Sequence, residues 1–262
     1  MSSDPAPSYS LEYAWRTDRG RVRAANEDAV VVDPALGFLI VADGIGGAQA
    51  GEVASALAAE VIAERFRQGT AYQLHPDTAK TFVETAIEEA NISVWRLSQI
   101  QPDLSGMGTT VVAGAVGLDW LVFAYVGDSR LYRLREGRLE QLSRDHSFIQ
   151  EVVDQGFFSS REDARRYGIG ENILTRALGS SAKVRVASGL SDLVRGDIFL
   201  FCTDGLTGMV PEDWLCQVLV ASVGNDLDPA AEALVRLANE RGGTDNITLA
   251  LLRVGGRLGQ AG

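Results

Sequence analysis

Apolar residues recur along this chain with two different periods, and the switches between them divide it into helices and strands. Val53, Leu57, Val61, Ile62 and Phe66 lie at helical spacing, and Val83, Ile87, Ala90, Val94 and Leu97 repeat it after a break at His75-Pro76. Two consecutive amphipathic helices are expected. A second pair comes much later, where Pro211 precedes Trp214, Leu215, Val218 and Leu219, and where Asp228-Pro229 opens a helix that stops at Gly242-Gly243. Between the pairs, strand patterns run from Thr109 to Val116, Leu121 to Val126, Arg130 to Leu134, Leu139 to Leu142 and Asp197 to Thr203. Further strands are expected at Leu11 to Trp15, Ala29 to Val32, Phe38 to Ala42 and Ile247 to Val254. Val111 to Val116 and Leu121 to Val126 are apolar on both faces, so they need cover on both sides. The arrangement that supplies it is α+β: a four-layer αββα sandwich of two packed, mainly antiparallel sheets flanked by helix pairs.

The segment from Arg144 to Gly170 mixes many charges with few apolar residues. It reads either as a solvated helix and loop or as a substrate-facing flap, spanning about 144–180. Residues 1–8 are expected to be disordered, 9–255 to form one domain, and 256–262 to be a frayed tail. The N-terminal residues lack the charged-then-apolar pattern of a signal peptide. The longest apolar stretch, Thr110 to Val126, is broken by Gly117-Leu118-Asp119 and so reads as two strands instead of a membrane span. A cytoplasmic monomer is the expectation, with Cys202 and Cys216 as two buried, reduced thiols.

A net charge of −11, with lysine only at Lys80 and Lys183, argues against a nucleic-acid surface. The acidic surplus serves either solubility or cations. Three places share one design, an apolar strand beside an aspartate followed by glycine or asparagine: Ala42-Asp43-Gly44, Thr203-Asp204-Gly205 and Thr244-Asp245-Asn246. A carboxylate there projects past the sheet edge from a rigid support, and a glycine lets a backbone carbonyl approach a cation. Taken singly, an Asp-Gly is more often only a turn. Asn26-Glu27-Asp28 and Gly127-Asp128-Ser129 add two more acidic clusters at strand ends, which solubility alone does not explain. Oxygen ligands without a His or Cys set select Mg²⁺ or Mn²⁺. The only histidines are His75, expected at the surface, and His146, expected to be structural, so a His-rich zinc or iron site is excluded.

In order along the chain stand Arg23-Ala24-Ala25-Asn26-Glu27-Asp28, Val41-Ala42-Asp43-Gly44-Ile45-Gly46-Gly47, Ser105-Gly106-Met107-Gly108-Thr109-Thr110, Val126-Gly127-Asp128-Ser129-Arg130, Asp145-His146-Ser147, Leu174-Thr175-Arg176-Ala177-Leu178-Gly179, Thr203-Asp204-Gly205 and Thr244-Asp245-Asn246. This set, from about Tyr13 to Val254, resembles the bacterial form of the PP2C (PPM) metal-dependent Ser/Thr protein phosphatases. The resemblance implies that Asp43 bridges two Mn²⁺ or Mg²⁺ ions, with Glu27 and the Gly44 carbonyl on one and Asp204 and Asp245 on the other. It further implies that Asp128 holds a third, weaker ion, that Asp28 orients water, and that Arg23 grips the substrate phosphate. Water activated by the ions would attack phosphorus directly. Phosphorylated proteins and a Ser/Thr kinase acting on them are the implied partners. Eukaryotic relatives commonly carry a proposed acid, His, where Ile45 stands here, which leaves water as the acid. Gly168-Ile169-Gly170-Glu171 would give the flap mobility.

Three other readings compete. Gly44-Ile45-Gly46-Gly47 could open a dinucleotide site, but the third glycine of that fingerprint falls at Gln49 and Asp43 would repel pyrophosphate. A scaffold that has lost catalysis, or a phosphatase dedicated to one regulator, would share the fold; none of the implied ligands is missing. A metal-dependent phosphodiesterase or nuclease would need a basic track that this chain lacks.

Overall fold

Strands that are apolar on both faces force a layered solution, and the molecule adopts one. The computed structural model describes residues 9–46, 48–69, 75–170 and 173–257, so the expectations for residues 1–8, for Glu171 and for the tail beyond 257 lie outside the described residues. One sheet has the order β1 (Tyr9–Asp18), β11 (Ile247–Arg257), β10 (Ile198–Cys202), β7 (Arg130–Arg135), β8 (Arg138–Gln141). The other runs β2 (Asp28–Asp33), β3 (Phe38–Ile45), β5 (Val111–Val116), β6 (Trp120–Val126), β9 (Ala187–Asp192), and the two-residue β4 (Gly108–Thr109) pairs with the end of β3. Neighbouring strands are antiparallel throughout these ladders.

The period-two alternation of each strand sorts its residues into separate cores. Phe38 and Ile40 of β3, Val111, Ala113 and Ala115 of β5, and Val122 and Ala124 of β6 face α1 (Ala48–Gln68) and α2 (Pro76–Ile100). Leu39, Val41, Val112, Leu121 and Phe123 face the other way, against Phe199, Phe201, Ala250 and Leu252 of the first sheet. Ile198, Leu200, Leu249 and Leu251 turn outward beneath α6 (Glu212–Ser222) and α7 (Asp228–Glu240). The expected four layers are all present.

Four features depart from the sequence expectations. Ala187–Asp192 forms the edge strand β9, which its three half-buried residues before an exposed Leu190 did not announce as an apolar alternation. Gly255 and Gly256 continue β11 to Arg257, where it pairs with Tyr9, because β1 starts early enough to hold them. Cys216 is only partly buried and donates to the Gly137 carbonyl, since α6 is covered on one side; Cys202 is buried as expected. The charged segment folds as two short helices, α3 (Phe148–Asp154) and α4 (Arg161–Arg166), the second started by Ser160 accepting from the Asp163 amide. It returns through bridges from Ser147 to Leu174 and from Thr109 to Leu178, and Leu178 is fully buried beside α1 and α2.

Candidate active site

The inter-sheet core ends in acids and hydroxyls in place of apolar side chains. In the β2–β3 ladder Val32 pairs with Leu39, Val30 with Val41 and Asp28 with Asp43, so the last pair of the column that lies between the sheets is two carboxylates. Across the gap, Thr203 at the end of β10 donates from Oγ1 to Asp28 Oδ2 at 3.0 Å. Thr203 also starts the single-turn α5 (Asp204–Thr207), which presents Asp204. Asp128 follows β6, and Asp245 precedes β11. Thr110 Oγ1 bonds Ser129 Oγ at 2.7 Å and accepts from the Asp43 amide at 3.2 Å.

The acids are close enough to hold protons on one another. Burial, followed by the charges of Asp28, Asp204, Asp128 and Asp245, pushes the Asp43 carboxyl well above the ordinary range. Burial, with Asp204 and Asp245 adding to it, brings Asp28 up to about 7 against the lowering influence of the nearby Thr248 and Thr203. Asp128 also rises to about 7, through burial and then Asp204 and Asp145, with Arg130 opposing. Asp204 is raised by burial and by the charge of Asp245, with Asp43, Arg130 and Arg23 opposing. Like charges crowded in a half-dry mouth cannot all ionise without a counter-charge.

Glu27 enters from the neighbouring loop. Its amide donates to Asn246 Oδ1 at 2.8 Å, and its carbonyl accepts from the Gly44 amide at 3.1 Å and from Ser55 Oγ. Two glycines make room for it. A Cβ on Gly51, inside α1, would stand 2.0 Å from Glu27 Oε2, and one on Gly44 would stand 2.2 Å from the Gly51 carbonyl oxygen. Helix α1 therefore meets the mouth backbone to backbone. Arg23 is exposed and pairs with Asp245 at 2.7 Å, and that hydrogen bond, with the charges of Asp245, Glu27 and Asp43, raises its pKa.

All eight residues marked out in the sequence thus gather at one end of the sandwich. Among the described residues no three His, Cys, Asp or Glu side chains are already drawn in to the spacing of a metal shell. What they offer is a set of mutually repelling oxygens, with Asp28 Oδ1 buried and lacking a hydrogen-bond partner and with the glycine-walled recess at Glu27. Hard divalent cations fit that donor set.

Other residues of the site stand in the sequence motifs but had no role assigned to them there. Asn246 donates from Nδ2 to the carbonyls of Arg19 and Ala25, both at 2.9 Å, and so staples the Arg23 loop to the Asp245 loop. A cavity of about 450 Å³ opens from Asp128 and Asp204 towards the two short helices, floored by Arg130 and Asp145. Asp145 is buried and held below the ordinary carboxylate range, because two guanidiniums outweigh its burial: Arg130, bidentate at 2.8–3.1 Å, and Arg161 of α4. Arg130 continues to Tyr132 Oη at 2.9 Å, and Tyr132 donates to Glu212 of α6 at 3.1 Å. His146 is structural here: its ring stacks on Tyr125 and accepts the Gly127 amide at Nδ1, and burial beside Arg176 lowers it to about 4. His75 is exposed.

Residues 18–248 match the family model described as Protein phosphatase 2C. The chain belongs to the protein phosphatase 2C family. This PP2C chain is 39% identical over 241 residues to the serine/threonine phosphatase stp of Listeria monocytogenes, a match covering 91% of this chain and 94% of that protein. Among solved structures, Stp1 of Staphylococcus aureus superposes with a TM-score of 0.86 at 28% identity, over 98% of this chain and 100% of that one. The catalytic domain of the phosphatase PstP, solved with two manganese ions, gives 0.82 at 33% identity, over 94% and 99%. The PP2C fold and the activity class follow: this is a serine/threonine protein phosphatase.

Proposed function

We propose that this PP2C phosphatase is metal-dependent and hydrolyses phosphoserine and phosphothreonine in proteins by direct attack of water, using Mn²⁺ or Mg²⁺. The observation that carries the reading is the group of acids at the end of the inter-sheet core, raised by burial and by one another to a state that only added positive charge relieves. The two manganese ions bound by PstP, a relative at 33% identity, support the choice of ion. Asp43, Glu27, the Gly44 carbonyl, Asp204 and Asp245 would hold two ions, and Asp128 a third, weaker one. Such ions supply Lewis acidity that makes water nucleophilic near neutral pH and screens the phosphate charge.

The side chains of the chain do the rest. Asp28, fixed by Thr203 and with Oδ1 free, accepts a hydrogen bond from the attacking water and orients it. Arg23 pairs with Asp245 at the edge of the site; with Asp245 engaged in holding an ion, the guanidinium's planar fork would be able to grip two phosphoryl oxygens. Ile45 offers no proton to the leaving oxygen, so that proton comes from water. The segment 144–180 acts as a flap over the cavity beside Asp128. Phosphorylated proteins, products of a Ser/Thr kinase, are the substrates. The reading places the enzyme in the cytoplasm as a monomer; among the described residues no helix is long and apolar enough to cross a membrane.

The test compares a phosphothreonine peptide with a phosphodiester, each with and without Mn²⁺. Turnover of the monoester alone, and only with metal, is expected. Cleavage of the diester would favour a nuclease, and inactivity on both with Mn²⁺ present would favour a scaffold. Replacing Arg23 by alanine is expected chiefly to raise KM, since a phosphate clamp acts in the ground state too.

A further inference from the structure

Although the chain carries a net charge of −11, its arginines are not spent evenly. Away from the mouth many are neutralised one to one, as in Arg16 with Asp228, Arg166 with Glu162 and Arg253 with Glu12. On the Asp245 side of the mouth three exposed arginines have no carboxylate partner among the described residues. Arg19 reaches only the Ala24 carbonyl, at 3.4 Å. Arg21 makes no side-chain hydrogen bond or ion pair there, and the Arg241 guanidinium carbon lies over the ring of Trp214, 5.0 Å from its centroid.

These groups sit on a rigid frame. The Arg21 amide donates to the Gly243 carbonyl at 2.7 Å, and the Asn246 side chain binds the carbonyls of Arg19 and Ala25 and the amide of Glu27. The loop that presents Arg19 and Arg21 is therefore locked to the loop that presents Asp245. Arg21 is two residues from Arg23, at most about 7 Å along the chain, and Arg241 is four residues from Asp245, at most about 14 Å. An extended peptide rises roughly 3.3 Å per residue, so a substrate anchored by its phosphate would pass these arginines within about four residues of the phosphorylated one.

We propose that Arg19, Arg21 and Arg241 form a basic lip that selects phosphoprotein segments carrying Asp or Glu close to the phosphorylated Ser or Thr. The inference rests on the phosphatase reading above and adds a substrate class to it. Arginine suits the task because its fork pairs with a carboxylate in two places, and Trp214 holds the Arg241 guanidinium ready. Were these charges there only to offset the acids of the mouth, they would act equally on every substrate.

The experiment uses the full chain with saturating Mn²⁺ and three probes: a phosphothreonine peptide with acidic flanks, the same peptide with neutral flanks, and p-nitrophenyl phosphate, which has no flanks. Wild type and an Arg21→Glu/Arg241→Glu double variant are compared, with Arg21→Ala/Arg241→Ala as a milder pair. Wild type is expected to favour the acidic peptide in kcat/KM. The charge-reversed variant should lose about tenfold on that peptide, chiefly through KM, and change less than about twofold on the other two probes. The preference should also fade towards 1 M salt, where the screening length shrinks to about 3 Å. Absence of preference in wild type, or an equal loss on all three probes, overturns the lip. If wild type fails to turn over even p-nitrophenyl phosphate, the phosphatase reading itself has failed and takes the lip with it.

Discussion

Replacing Asp28 by asparagine should make the metal-free protein more stable, by an amount that depends on pH. The side chain is half-buried at the end of the inter-sheet column, and burial beside Asp204 and Asp245 moves its pKa from 3.8 to about 7. That is about 3 pH units, and at about 1.4 kcal/mol per unit the ionised form costs up to ~4 kcal/mol. Because the acids share protons and the mouth is partly open to water, about half of this, ~2 kcal/mol, is the expected gain. Asparagine keeps an oxygen for the Thr203 hydroxyl, so that bond is retained. The folded state holds its proton more tightly than the unfolded chain. The cost is therefore absent below about pH 4, grows between pH 4 and 7, and is constant above that. At about 2–4 °C per kcal/mol for a chain of this size, Asp28→Asn should melt ~4–8 °C above wild type at pH 8 in chelator, with almost no difference at pH 4. Circular dichroism melts at pH 4, 6 and 8 measure it. A gain of the same size at every pH, or a loss at pH 8, would refute the electrostatic account.

Three further outcomes follow from the same geometry. Asp204→Asn should abolish turnover yet leave the metal-free protein folded, because relief of burial cost and of repulsion from Asp245 offsets what is lost; an unfolded variant in chelator, seen by circular dichroism, would contradict this. Asp145→Ala strands Arg130 and Arg161 and should cost about 3–5 kcal/mol in urea unfolding, since breaking a buried ion pair leaves an uncompensated charge. Gly51→Ala pushes a methyl group to within 2.0 Å of Glu27 Oε2, so calorimetric Mn²⁺ affinity should fall at least tenfold, whereas Gly256→Ala, where an added Cβ meets nothing within 4 Å, should leave it unchanged.

The layers were legible because the two periods are clean: helical spacing at Val53 to Phe66, and double-faced apolar runs at Val111 to Val126. The acids were legible because each stands at the edge of an apolar strand. Less visible was everything that depends on two distant segments touching. Gly51 reads as an ordinary small residue in an alanine-rich helix until the Glu27 carboxylate is seen against it. Asn246 reads as a turn residue until its side chain is found joining loops more than two hundred residues apart in sequence. Asp145 sits in a charged stretch that suggests solvent, and only the fold brings Arg130 and Arg161 to it. β9 escaped because an edge strand buries too little to need a regular pattern.

The register of one hairpin links the core to the chemistry. The side chains of β2 and β3 alternate, so the pairing that sets Val30 against Val41 and Val32 against Leu39 in the inter-sheet core also sets Asp28 against Asp43 at its end. A slip of one residue would turn the valines outward and the acids with them, so selection for a packed core and selection for the site act on the same register. The strong burial of that column is also why the acids at its end are hard to ionise. The hydrophobic pattern that builds the sandwich thereby creates the demand for positive charge that, on the reading proposed here, divalent ions meet.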